Sequence, residues 1–194
     1  MSGFSTARQK MVDGQVRPSD VTDIRIIDAM LAVPREAFVP ENKRALAYLD
    51  LDLDVTEAGP AARFLIKPAV LAKMLQAAEI KATDHVLVVG CASGYAAAVI
   101  GKFAGTVTNT ATADGDPANA PFDVIVLNGA TEIVPEKLYR QLRDGGRLVG
   151  VFAMSQPARA TIVTRSHGDF GNRALFDATA PVLPSMERLP AFVF

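Results

Sequence analysis

The apolar positions of this chain change period several times, and each change predicts an element. From Ser5 to about Val16, Ala7, Met11 and Val12 interleave with Arg8, Lys10 and Asp13 as on an amphipathic helix, with Ser5 or Thr6 placed to cap it. Arg17-Pro18 should break that helix, because proline disfavours helical backbone in the residue before it. A second helix starts at Asp20 or Thr22, carries the stripe Ile24, Ile27, Ala29, Met30 and Leu31, and ends at Val33-Pro34. A short helix over Arg35 to Phe38 stops at Pro40. Across Ala47 to Val55 the period falls to two: Leu49, Leu51, Leu53 and Val55 face one way and Asp50, Asp52 and Asp54 the other, which predicts an extended segment.

Glu57 to Ala62 reads as a turn, and helical spacing returns from Pro68 through Val70, Leu71, Met74, Leu75 and Ala78, with Pro68 in the first turn. After Thr83-Asp84 comes the stretch around which the chain is organised, Val86 to Gly105. Val86 to Val89 are aliphatic without alternation, the mark of a parallel strand buried on both faces, and Gly90 and Gly94 bracket a loop before a helix from Tyr95. Gly105 to Thr110 predicts a second strand, Asp123 to Gly129 another, Glu132 to Leu142 a helix closed by Asp144-Gly-Gly, and Arg147 to Phe152 a third core strand. Arg159 to Arg165 and Arg173 to about Val182 form a hairpin about the turn His167 to Gly171. The expected class is α/β, a mostly parallel Rossmann-like sheet with an antiparallel C-terminal hairpin and N-terminal helices. A single domain is expected over 1–194, with a helical, substrate-side region over 1–82 and the sheet core over 83–194.

Composition narrows the function classes. With 49% hydrophobic residues the chain can bury a sizeable core, and 20 basic against 21 acidic residues leave a net charge of −1, no global footprint for nucleic acid. No leader and no run long enough to cross a membrane is seen, and one cysteine, Cys91, cannot form an internal disulfide, so a cytoplasmic setting is expected. Asp50, Asp52 and Asp54 open like a calcium loop, but Val55 and Ala61 stand where that loop wants glycine and glutamate, so a solvated face is expected and no metal. Cys91 precedes a helix, where a thiolate would be favoured, although a small residue filling the loop is the commoner role. His85 reads as a strand-entry residue and His167 as a turn residue.

The order of motifs resembles the protein-L-isoaspartate O-methyltransferases. The resemblance runs through Arg8 to Gln15, Ile26 to Met30, Val33 to Pro40, Ala47-Tyr48, Asp50, Gly90 to Tyr95, Ala120 to Ile125, Pro135, Gln141-Leu142 and Asp144 to Leu148, about the first three-quarters of the chain. It implies a seven-stranded fold using S-adenosylmethionine as cofactor, and methyl transfer to the α-carboxylate of isoaspartyl residues in a protein or peptide acceptor. On that reading Gly90, Cys91, Ala92, Ser93, Gly94, Asn128 and Gly129 lie on the cofactor side, and Leu65, Ile66, Lys67, Pro68 and Ala130 on the acceptor side. No residue is assigned as catalytic, since a carboxylate is already a nucleophile at neutral pH and needs no base.

The chain departs from the family pattern at four places. Val88 replaces an acidic residue that helps hold the methionine end of the cofactor, Ala92 replaces the middle loop glycine, and Ile66 replaces a serine or threonine that contacts the acceptor. Only about fifteen residues separate the central helix from Ala120, where the family carries two strands and two helices including the ribose carboxylate, so one strand and a loop are expected. Asp114 and Asp116 are the replacements on offer. An alternative is therefore a methyltransferase fold that has lost its chemistry and acts by binding a partner. A dinucleotide oxidoreductase is disfavoured, because Ala92 and Ala97 interrupt Gly-x-Gly-x-x-Gly.

Overall fold

A computed structural model describes residues 3–56, 62–91 and 93–189. Helix α1, Gly3–Met11, runs on through a π-helical turn at Val12–Val16 and a 3₁₀ turn at Arg17–Ser19. Pro18 therefore does not break the path as expected: it falls in the first turn of the 3₁₀ segment, where its missing N–H costs nothing, and the path ends at Asp20, which is left-handed with φ 62°. Helix α2, Ile24–Ala32, is capped by neither Asp20 nor Thr22 but by Asp23, whose carboxylate accepts from Arg25 N. Its end at Val33 and the 3₁₀ turn Arg35–Phe38 match expectation.

The period-two stretch is largely not a strand. A 3₁₀ turn covers Glu41–Leu46, and only β1, Leu53–Asp54, is extended, pairing antiparallel with β2, Phe64–Leu65. Asp52 turns to Lys67 and Asp54 to Lys43, so the aspartates follow separate lysines rather than sharing one strand face. The turn expected over Glu57 to Ala62 lies outside the described residues except for Ala62. Helix α3 spans Pro68–Ala77.

The sheet is built from β3 His85–Val89, β4 Thr106–Thr110, β5 Phe122–Thr131, β6 Leu142–Phe152, β7 Arg159–Ser166 and β8 Asp169–Asp177, with helix α4, Tyr95–Ile100, between β3 and β4. Strand order is β4-β3-β5-β6-β7-β8, parallel from β4 to β6 and antiparallel beyond. The sheet described has six strands, where the resemblance implied seven. Successive side chains on β3 point to opposite faces, so Val86 and Val88 join the core beneath the helices while Leu87 and Val89 join a second core with Ile125, Leu127, Leu138 and Leu148. That division is why four aliphatics occur in a row.

Two further expectations are corrected. Helix α5 is only Glu136–Tyr139, because the backbone before it is engaged elsewhere: Glu132 N donates to Met186 O, and the Thr131 hydroxyl caps Ile133. Asp144-Gly-Gly consequently closes no helix and lies within β6. In the hairpin, His167 and Gly168 are both left-handed, the geometry of a two-residue turn matched to strand twist, so β8 begins at Asp169 and ends at Asp177.

Arg8 ties the N-terminal elements together, bonding Tyr48, Leu31 O and Glu36, while the Tyr48 hydroxyl donates to Glu36. Burial and the Glu36 hydrogen bond push the Tyr48 hydroxyl up to about 12, so it remains a donor. Among the described residues no helix is long and apolar enough to cross a membrane.

Candidate functional site

Strand β3 has β4 on one side and β5 on the other, and open α/β sheets bind ligands beyond the carboxyl ends of strands at such a reversal. The backbone that leaves β3 there is glycine for a conformational reason: Gly90 has φ 78° and Gly94 φ 85°. Gly90 N donates to Thr110 O, and the Asn109 side chain donates to Cys91 O, so β4 pins the loop from the side. Asn128, buried in the carboxyl-terminal half of β5, sends its amide toward both Phe64 O and Gly90 O at 3.4 Å, bridging the β2 segment and the glycine loop.

Two cavities open at this edge. One of about 250 Å³ lies between Phe38, Pro40, Val55, Arg63 and Ser93. The other, about 170 Å³, is bounded by Arg63, Phe64, Gly90, Asn128 and the tail segment Pro181 to Pro184. The tail is held there as added strand: Ala130 N donates to Pro181 O and Leu183 N to Ala130 O. Leu183 then packs on the two glycines, its Cδ2 lying 2.3 Å from where a Cβ on Gly90 would stand and 2.7 Å from one on Gly129. Neither position could carry a side chain while Leu183 is seated.

The expected site residues divide accordingly. Gly90, Ser93 and Asn128 border the cavities. Gly129 and Gly94 do not line them: Gly129 gives its room to Leu183, and a Cβ on Gly94 would make only ordinary contact with Phe38, so its φ alone demands glycine. Ser93 Oγ also accepts weakly from Tyr95 N at 3.4 Å. Cys91 is buried and borders neither cavity, and burial pushes its thiol up rather than toward thiolate, so its role is filling the loop. Ala92 lies outside the described residues. Val88 sits in the core.

Of the residues expected on the acceptor side, Leu65, Ile66, Pro68 and Ala130 are buried, and Lys67 is tied to Asp52 by its backbone N–H and ammonium. None of them lines either cavity; the neighbouring Arg63 and Phe64 do. Nothing in the local spacing distinguishes these two, since a pairing of only two residues decides which side chains of the segment face outward.

Asp114 and Asp116 are tied into the short crossover. Asp114 takes the Lys137 ammonium at 2.7 Å, Asp116 accepts from Asn119, and the nearly buried Gln141 bonds the backbone of both. The edge of β4 offers hydroxyls, Thr110 and Thr112, and no carboxylate. His85 lies at the amino end of β3 against Phe122 and Thr108, and His167 in the hairpin turn, both as expected. Among the described residues no group of three or more metal-ligating side chains occurs.

Beneath the site Arg35 is fully buried, donating to Ala47 O at 2.7 Å and Ile66 O at 2.9 Å, with its guanidinium 4.8 Å from the Tyr95 ring centre. Its Nη1 and the Tyr95 hydroxyl are both buried and, among the described residues, meet no hydrogen-bond geometry, although, against the larger effect of burial, the two groups lie close enough for the guanidinium to favour the Tyr95 phenolate.

Residues 6–114 and 104–170 match the model of the family Protein-L-isoaspartate(D-aspartate) O-methyltransferase. The two pieces overlap at β4, where the chain is shortened. A protein-L-isoaspartate O-methyltransferase of Rhodopseudomonas palustris (strain ATCC BAA-98 / CGA009) is 36% identical over 86% of this chain and 88% of its own length. One from Koribacter versatilis is 34% identical over 77% of this chain and 78% of its own. A solved protein-L-isoaspartate O-methyltransferase superimposes with TM-score 0.77 at 21% identity, covering 90% of this chain and 65% of that one. A Plasmodium falciparum structure of the same description, in complex with S-adenosyl-L-homocysteine, gives TM-score 0.71 at 15% identity, covering 94% of this chain and 99% of that one. These structural likenesses establish the Rossmann-like methyltransferase fold. With its glycine loop, sheet order and family-model match, the chain belongs to the protein-L-isoaspartate O-methyltransferase family.

Proposed function

We propose that the protein is an S-adenosylmethionine-dependent carboxyl methyltransferase of the isoaspartyl-repair type, acting in the cytoplasm on proteins or peptides that carry isoaspartate. The observation that carries this reading is the edge of the sheet itself, where the Gly90 to Gly94 turn and the Arg63-Phe64 segment face each other across Asn128. The turn suits the donor, since its two left-handed glycines, Gly90 and Gly94, bring no side chain to the backbone at its two ends. The backbone from Gly90 to Gly94, the Ser93 hydroxyl and the Asn128 amide would hold it, once Leu183 gives up the room over Gly90. Bound S-adenosylmethionine supplies a methyl group made electrophilic by sulfonium.

The protein's own part is alignment and exclusion of water. With that group bound, an acceptor carboxylate, already an anionic nucleophile, would need only to be held in line with it, and the products would be a methyl ester and S-adenosylhomocysteine. No proton moves, so no general base is required, and positioning supplies most of the rate. The buried Cys91 suits a reducing setting.

Calorimetric titration with S-adenosylmethionine and S-adenosylhomocysteine, followed by mass spectrometry of an isoaspartyl peptide, tests the proposal. Micromolar binding and a one-methyl mass increase are the expected results. Leu183 seated on Gly90 and Gly129 favours a second reading, a fold that has kept its shape and acts by binding a partner. Absence of any nucleoside binding at millimolar ligand would select it.

A further inference from the structure

We propose that Arg63 is the specificity residue that recognises the acceptor's carboxylate, an inference that rests on the methyl-transfer reading above. Arg63 borders both cavities, with Ser93 of the glycine turn across one and Gly90 and Asn128 across the other. The exposed Arg63 is thus shared by the two spaces, beside the turn proposed to hold the methyl donor.

The backbone of Arg63 is fixed from both sides, its N–H donating to Thr56 Oγ1 and its carbonyl accepting from Val55 N, each at 2.8 Å. Its guanidinium, in contrast, makes no hydrogen bond or ion pair with any described residue. Among the described residues the carboxylates nearby are committed: Asp52 to Lys67, Asp54 to Lys43, and Glu36 to Arg8 and Tyr48. Of the neighbouring side chains, the Lys67 ammonium holds Asp52, the Thr56 hydroxyl oxygen accepts from Arg63 N, and Ile66 has no side-chain donor. An anchored arginine with an open fork is matched to a carboxylate, which it can bind by two parallel N–H bonds. Such contacts select an anionic acceptor over a neutral one and fix the attacking oxygen, which carries no proton.

Two fluorescent peptides of one sequence, with the isoaspartyl α-carboxylate free or converted to carboxamide, separate this role from general packing. Their binding to the full chain, to Arg63→Ala and to Arg63→Lys is read by anisotropy, alongside methyl-transfer kinetics and melting temperature. The wild type is expected to prefer the carboxylate peptide by roughly 10- to 100-fold, the yield of charge-assisted hydrogen bonds. Arg63→Ala should lose that preference and raise the peptide KM by a similar factor while melting and S-adenosylhomocysteine affinity stay unchanged, and Arg63→Lys should recover part of it. Equal preference in wild type and Arg63→Ala overturns the proposal, as does a wild type that binds neither peptide or both alike. Failure of the methyl-transfer reading shows differently, as a wild type that discriminates the peptides through Arg63 yet forms no methyl ester.

Discussion

Arg35 illustrates how much one side chain can organise. Its guanidinium satisfies two buried carbonyls, of Ala47 and Ile66, that belong to segments with almost no regular structure of their own. Arg35→Met keeps the bulk and orphans both carbonyls, so unfolding in urea should show a loss of about 2–4 kcal/mol. Burial pulls the guanidinium below its ordinary value, which marks the cost of keeping the charge there. Gly90 makes the complementary case. Gly90→Ala has to accept a left-handed φ and a Cβ driven into Leu183, and should cost more than about 1 kcal/mol. Leu183→Ala alone should cost about 2–4 kcal/mol as a cavity and tighten S-adenosylhomocysteine binding measured by calorimetry. Combining the two should cost less than their sum, because the clash disappears and only the backbone strain remains. Gly90 was readable in the sequence as a loop glycine after the strand; that Leu183, more than ninety residues away in the chain, packs on it was not.

Among the elements, those whose signals are local were legible. Helix α2 shows its end at Val33 and an aspartate cap at Asp23 rather than a start at Asp20 or Thr22. Its stripe holds at Ile27, Ala29 and Met30, with Ile26 buried where Ile24 was expected and Ile24 exposed. Asp23→Ala should cost about 1 kcal/mol in thermal or denaturant unfolding. The hydrogen bond from Arg25 holds the Asp23 carboxyl below the usual carboxylate range. Its stabilisation is therefore present above that range and lost as pH falls through the depressed value, so the wild type and Asp23→Ala should converge in stability toward strong acid. Elements whose limits depend on remote partners were misread. The helix expected from Glu132 shrinks to Glu136–Tyr139 because the tail takes the Glu132 N–H. The Ala47 to Val55 alternation gives two residues of strand, since lysines at 43 and 67 claim the aspartates separately.

For the molecule as a whole, the unusual feature is the passage from β4 to β5 over residues 111–121 without a helix. Gln141 holds this crossover, donating to Asp114 O and Lys137 O and accepting from Asp116 N, while Gly115 leaves room for the Gln141 amide itself. The loop covers the second core with Ala113 and Ala120 only, and Leu183 and Met186 of the tail complete it. Shortening has thus left the β4 edge without an acidic group. Thr110→Asp, which restores one at the carboxyl end of that strand, should tighten S-adenosylhomocysteine about tenfold by calorimetry, the worth of one charge-assisted pair to a sugar hydroxyl.

The sequence by itself determined the class of fold, the buried strand at Val86 to Val89, the glycine turn after it and the single strand left by the shortened crossover, because periodicity, left-handed glycine and chain length act locally. It also carried the family, through phrases spread along the N-terminal half. Only the tertiary structure decided what lines the site. Leu65, Ile66 and Ala130 are buried while Arg63, Phe64 and the Pro181 to Pro184 tail border the cavities, because that choice rests on a two-residue strand pair and on a tail hydrogen-bonded across Ala130. Such contacts join residues far apart in the chain, and no local period records them.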